Sequence, residues 1–229
     1  MQSKVKLTKR QVKEDKFTTF MLTSKDKLQG EFEDKWQYYV IGIVLAVVLI
    51  WAVVWYFDQQ STREAQAAEA FSQAMSRYQL GDDQVAILEF SQVLENYGGT
   101  NLAAKAAFLL GNLNLATRNY DEAIRHYRLF LNDYKGTVLN RAAAYAGIAA
   151  AQEDQGQYGE AAASLVQAVE TNPEGPLRPD YELGAVRNYL AAGNPELAEA
   201  RLAILDEKYE GTDWASRATR MIAEKSQGN

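Results

Sequence analysis

Side chains able to do acid–base, nucleophilic or metal chemistry are sparse in this chain of 229 residues. There is one histidine, His126, and no cysteine, which excludes multi-histidine zinc sites, thiolate metal sites and disulfides. A Ser/His/Asp triad would need a nucleophile motif beside that histidine, and none is present. His126 reads as a solvated residue next to Tyr127. Asp82-Asp83 follows Gly81, but the loop is too short and lacks the spaced carboxylates of a calcium-binding EF-hand. It reads as a turn between two helices with an N-cap. Gly98-Gly99 lacks the following Lys-Ser/Thr of a phosphate loop and reads as a helix-ending turn. The expectation is a non-enzymatic protein with no metal and no cofactor.

Composition points the same way. Apolar residues make up 47% of the chain and charged residues 24%, the balance of a folding chain with one sizeable domain and an appendage, or two small domains. Charge is uneven. Residues 1–35 hold nine Lys/Arg against six Asp/Glu, whereas residues 58–229 hold fifteen against twenty-four. An acidic C-terminal part lacks the basic footprint that nucleic-acid binding requires.

Between these parts lie residues 36–57, which carry no charge. About 20 helical residues span a hydrocarbon layer of ~30 Å, so this is predicted to be a transmembrane helix. Trp36, Tyr38 and Tyr39 at one end and Trp51, Trp55 and Tyr56 at the other resemble interfacial aromatic belts. No small-x-small site follows the run, so the segment is expected to remain as an anchor. Lys16, Lys25, Lys27 and Lys35 precede it and only Arg63 and Arg77 follow closely. The positive-inside bias places the N-terminus in the cytoplasm and the large domain outside. In the leader, Thr8 with Gln11 reads as a capping box, and Phe17, Phe20, Met21, Leu28, Phe32 and Trp36 recur at roughly helical spacing. That pattern fits an interfacial or docking helix, or a basic topogenic leader with incidental apolar residues.

The remainder is periodic. Tyr97-Gly98-Gly99-Thr100, Tyr134-Lys135-Gly136-Thr137 and Tyr209-Glu210-Gly211-Thr212 repeat one punctuation, and Asn172-Pro173-Glu174-Gly175 fills the missing position. Ala86, Ala123, Ala161 and Ala198 keep step, 37, 38 and 37 residues apart. Four helical hairpins are predicted, followed by an amphipathic capping helix over residues 214–225. Gly111, Tyr120, Ala123, Tyr127 and Phe130 resemble the small, aromatic, Ala, aromatic and apolar positions of the tetratricopeptide repeat (TPR). Ala149, Gly156, Tyr158, Ala161, Ala168 and Pro173 follow suit in the third unit, and Ala74, Gly81, Ala86 and Phe90 in the first. The fourth keeps Tyr189, Gly193, Ala198 and Leu202, with Val186 at the small position and Pro195 opening its second helix.

The fold class is therefore all-α: a single transmembrane helix, then an α-solenoid of four TPR-type hairpins and a cap. The domains are a leader (1–35), the anchor (36–57), a spacer (58–66), the repeats (67–213) and the cap with tail (214–229). In the spacer, Ser61 with Glu64 could cap a fresh helix, or the transmembrane helix continues.

The resemblance implies a concave face lined by the first helix of each hairpin. The inward positions are Phe71, Met75 and Tyr78, then Lys105, Phe108, Asn112 and Leu115, then Ala143, Ala146, Ala150 and Glu153, then Leu183, Arg187 and Leu190. TPRs that grip a C-terminal carboxylate set Lys and Asn four apart where this chain has Phe71 and Met75, which disfavours that mode. A groove of Phe, Met, Tyr and Leu suits an apolar segment or an amphipathic helix, unless those rings pack internally.

From about residue 33 to the end, the layout resembles the ancillary Sec-translocon-subunit family of membrane-anchored TPR proteins. That resemblance implies a protein-binding scaffold on the outer face of a bacterial inner membrane. Its partners would be translocon subunits, periplasmic chaperones or exported chains, with no nucleic acid and no small-molecule substrate. The alternative is an adaptor organising another envelope assembly, for cell division, wall synthesis or outer-membrane biogenesis.

Overall fold

The computed structural model describes the backbone of residues 9–227 and the side chains of residues 36–227. It divides into two units, Met1–Gln60 and Ser61–Asn229, and helix α1 (Lys9–Gln79) contributes residues to both.

In the first unit the side chains of residues 36–57 are all exposed, on every face of the helix. The stretch is long and apolar enough to cross a membrane. An apolar surface on every face is compatible with a hydrocarbon solvent. Residues 9–35 are helical, whereas Thr8 of the expected capping box and the side chains of Phe17, Phe20, Met21, Leu28 and Phe32 lie outside the described residues.

The second unit is built from hairpins, and all its regular structure among the described residues is helical. The end of α1 packs on α2 (Asp83–Asn96) through Phe71, Ala74, Ala86 and Phe90, and α3 (Asn101–Ala116) pairs with α4 (Tyr120–Asp133). Helix α5 (Val138–Asp154) pairs with α6 (Tyr158–Thr171), and α7 (Arg178–Ala191) with α8 (Pro195–Lys208). Helix α9 (Asp213–Gln227) packs on α7 and α8. These are the four hairpins and cap that the periodicity predicts. No fresh helix starts at Ser61. The Glu64 carboxylate instead accepts the backbone N–H of Asn101 at 3.1 Å, capping α3 from across the hairpin.

The turn inside each hairpin has one design. Gly81, Arg118, Gly156 and Gly193 all have positive φ, at 79°, 62°, 74° and 76°. In each, the following backbone N–H reaches back to a carbonyl five residues earlier. The bonds are Asp82 to Arg77 (3.0 Å), Asn119 to Asn114, Gln157 to Gln152 and Asn194 to Tyr189 (2.8 Å each). Asp82 does stand at the N-cap of α2, but its carboxylate makes no capping hydrogen bond and faces Arg77 at 3.9 Å.

The four landmark alanines, Ala86, Ala123, Ala161 and Ala198, are completely buried. Only a methyl fits where paired helices approach this closely. At the C-terminal end Ala215 and Ala218 of α9 join Leu183, Val186, Leu190, Ala198 and Leu205 in one apolar cluster.

Candidate protein-binding cleft

Tyr127 on α4 anchors the middle of the stack. Gly111 on α3 and Gly147 on α5 both lie against its ring, and a Cβ at either position would overlap ring carbons. The Tyr127 hydroxyl donates to Asn112 Oδ1 at 2.6 Å, and burial pushes the phenol's pKa well above its ordinary value. Gly111 was legible as the small position of the repeat. Gly147 was not, although Gly184, 37 residues later, repeats its role: a Cβ there would stand 2.9 Å from Leu165 Cδ1.

Beside this anchor, helices α1, α3 and α5 frame an open cleft of about 670 Å³. Its apolar wall is Phe71, Met75, Phe108, Leu109 and Phe130. Its polar wall is Asn101, Lys105, Lys135, Thr137 and Asn140. Phe71 and Phe108 serve both sides of that wall. Phe71 tilts against Phe90 with centroids 5.3 Å apart, and Phe108 meets Phe130 at 5.4 Å and Tyr127 at 5.9 Å. Each remains half-buried, with the rest of its ring open to the cleft. The two readings of these aromatics, groove or internal packing, therefore both apply.

The turn over residues 134–137 shapes the far wall. It shares its letters with those at 97–100 and 209–212, yet its backbone differs. Gly99 and Gly211 have φ of 87° and 73°, and the Thr100 and Thr212 hydroxyls fold back onto the Tyr97 and Tyr209 carbonyls at 2.8 and 2.6 Å. Gly136 has no positive φ, and Tyr134 is extended at φ −125°, ψ 146°. Gly136 lies against the Phe130 ring, where a Cβ would collide. The chain thus runs on past Lys135 along the cleft, and Thr137 caps α5 by accepting the Asn140 N–H at 3.1 Å.

Of the side chains predicted to face a groove, Phe71, Met75, Lys105 and Phe108 meet at this cleft. Leu183 is 7% exposed and belongs to the core beneath α9, while Leu190 of the same core also lines, with Arg187, Met221 and Lys225, an open pocket of about 410 Å³. Asn112 is taken up by Tyr127, and Leu115 packs against the cluster around Tyr127. Tyr78 is exposed but stands away from the cleft. Arg187 donates to Glu153 Oε2 at 2.7 Å, and Asn188 Nδ2 donates to the same oxygen at 2.9 Å. That clamp ties α5 to α7, and Arg187 also borders the pocket beside α9. Lys135, Asn101, Thr137 and Asn140 were not anticipated, because three of them lie at turns or helix starts that the helical spacing does not index.

His126 also departs from expectation, being 4% exposed. Its Nδ1–H donates to the Glu122 carbonyl at 2.8 Å, which leaves Nε2 to accept from Arg125 Nη2 at 3.0 Å. Burial, with the Arg125 charge behind it, holds its pKa below the ordinary value. A neutral imidazole tied to its own helix is a structural part, not a proton-transfer group.

Comparison with known proteins agrees with this geometry. A family model described as a tetratricopeptide repeat-like domain matches residues 32–175, which takes in the apolar segment and the first three hairpins. No curated protein matches the chain. Among solved structures, a tetratricopeptide repeat protein from Parabacteroides merdae superposes with a TM-score of 0.60 at 15% identity. The likeness covers 71% of this chain but spans only 60% of that protein. Nearly identical TPR-like repeats from Podosopora anserina superpose with a TM-score of 0.53 at 19% identity, over 72% of this chain and 87% of theirs. At such identities the likeness is one of fold. The fold is a scaffold for contacts with other proteins, and with more than half its length matched by the family model, the chain belongs to the tetratricopeptide repeat-like domain family.

Proposed function

We propose that this protein is a membrane-anchored scaffold on the outer face of a bacterial inner membrane, an accessory of the Sec translocon that hands exported chains to periplasmic chaperones. The observation that carries the binding role is the cleft, where half-buried Phe71, Met75 and Phe108 leave apolar surface open at the inner face of the repeats. The apolar helix over residues 36–57 supports the anchor. The excess of lysine before it supports a cytoplasmic N-terminus and an exported repeat domain. Only nine residues, 58–66, separate the apolar run from the first repeat, a short tether for a binder of segments emerging from a membrane channel.

A photo-crosslinker at Phe71, Met75 or Phe108 is expected to capture inner-membrane translocon subunits or nascent exported chains, while the same probe at Gln227 captures little. Adducts only with outer-membrane or cytoplasmic proteins would sink the proposal. Protease added to spheroplasts should remove the repeat domain and leave a short membrane-bound fragment. Full protection until lysis would reverse the topology.

A further inference from the structure

The charges at the cleft indicate what kind of segment it selects. Residues 58–229 contain twenty-four Asp/Glu against fifteen Lys/Arg, so a randomly placed cleft would be bordered mainly by carboxylates. The lining of this one holds Lys105 and Lys135 and no acidic side chain, and the Glu64 carboxylate beside Asn101 is engaged by that residue's backbone N–H. The two lysines come from different elements, α3 and the turn after α4. Both are exposed, and among the described residues neither forms an ion pair. By contrast, the exposed Arg125 and Arg187 are each matched with a glutamate.

Two further features add positive potential at the same place. Helix α5 opens at the cleft with no acidic residue in its first turn, so its N-terminal dipole is uncompensated there. The extended turn at residues 134–137, unlike its two counterparts, is what lays Lys135 along the wall.

We infer that the cleft takes a partner segment whose aromatic or aliphatic side chains are flanked by aspartate or glutamate, with the apolar groups seated against Phe71, Met75 and Phe108 and the carboxylates against Lys105 and Lys135. The inference rests on the cleft being a protein-binding site, and adds the sign of the charge that it accepts. A basic amphipathic segment meets two ammonium groups over an apolar floor and is rejected, since like charges brought together across an interface are costly.

The test uses the full-length protein in mild detergent and three labelled peptides. All three carry the same Phe and Leu residues, interleaved with Glu, with Gln or with Lys. By fluorescence anisotropy the Glu peptide should bind about tenfold or more tighter than the Lys peptide at low salt, with the Gln peptide between. Raising salt from about 0.05 to about 0.5 M should compress that order. In the K105E/K135E variant the order should reverse. Because both lysines are exposed, the variant should melt with wild type, which separates a binding effect from misfolding. Equal affinities for the three peptides, or an order unchanged in the variant, overturn the charge selectivity while leaving an apolar binding cleft intact. No binding of any peptide overturns the cleft as a protein site, and this inference with it.

Discussion

The first two hairpins and the last two share a period but fill it differently. In the first pair rings do the packing: Phe71 on Phe90, and Phe108 against Tyr127 and Phe130. In the second pair the buried contact between α5, α6 and α7 is made of Ala149, Ala161 and Ala185 with Leu165, and the Tyr181 and Tyr189 rings pack only at its edge. Rings hold helices apart and leave flat surface at their edges, and the cleft lies there. Alanines let helices close, and the Glu153 clamp to Arg187 and Asn188 ties α5 to α7. Helix α9 draws Leu183 and Leu190 into the core and leaves a smaller pocket beside Arg187 and Leu190, about 410 Å³ against about 670 Å³ for the cleft. The repeat sets where helices run. The size of the residues at a few fixed slots decides whether the surface between them is open.

The largest test asks whether both halves depend on the same close approach. Ala123 and Ala161 are each completely buried, one in each half. Replacing either with arginine forces a guanidinium between packed helices with no partner, a cost on the order of 4 kcal/mol. Urea denaturation of the full-length protein followed by far-UV circular dichroism should show a large drop in midpoint for both. A variant whose urea midpoint matches that of wild type would mean that its half is not packed on the landmark alanine.

A finer comparison uses glycines. At Gly147 an added methyl meets the Tyr127 ring, which also lies against Gly111 and is held through its hydroxyl by Asn112. The ring has nowhere to go, so Gly147→Ala should cost about 1–3 kcal/mol. At Gly184 the methyl meets the end of the Leu165 side chain, which can change rotamer. Gly184→Ala should therefore cost less than about 1 kcal/mol, helped by the better helix propensity of alanine. Equal losses at the two sites would erase the distinction between a ring-packed and an alanine-packed half.

How much of this was legible follows from where each feature is decided. Ala123 and Ala161 announced themselves because a steric demand inside one hairpin leaves few residue types admissible, and the demand recurs every 37 or 38 residues. The turn at residues 134–137 could not be read, since its letters match its counterparts and its departure is set by Gly136 meeting the Phe130 ring. Burial of His126 escaped for a related reason: a polar type on an amphipathic helix reads as solvated until its two ring nitrogens are shown to be satisfied within α4. For the cleft, Phe71, Met75, Lys105 and Phe108 follow from the spacing of the repeat motif that the chain resembles. Lys135 and Thr137 depend on how one loop is laid across the ends of three helices. Leu183 fell on the correct helix, but the cap that buries it is supplied by another element.

The smallest effect concerns the one hairpin turn that breaks the common pattern. Three hairpins place glycine at the left-handed turn position, and the second places Arg118 there at φ 62°. A side chain in that conformation costs roughly 1–2 kcal/mol, because Cβ crowds the following carbonyl. Glycine removes that strain, but it also frees the unfolded chain, which returns about 0.4–1 kcal/mol. The side chain itself is exposed and the backbone bonds of the turn, Arg118 N–H to Leu115 and Asn119 N–H to Asn114, need no side chain. Arg118→Gly should therefore stabilise the repeat domain by about 0.5–1 kcal/mol. For a domain of this size that is a rise in melting temperature of roughly 1–4 °C. The reciprocal change, Gly156→Arg, puts the same strain into the alanine-packed half and should lower the melting temperature by a similar amount. If Arg118→Gly lowers stability while Gly156→Arg also lowers it, Arg118 is held by an interaction of its own and the turns are not equivalent across the two halves.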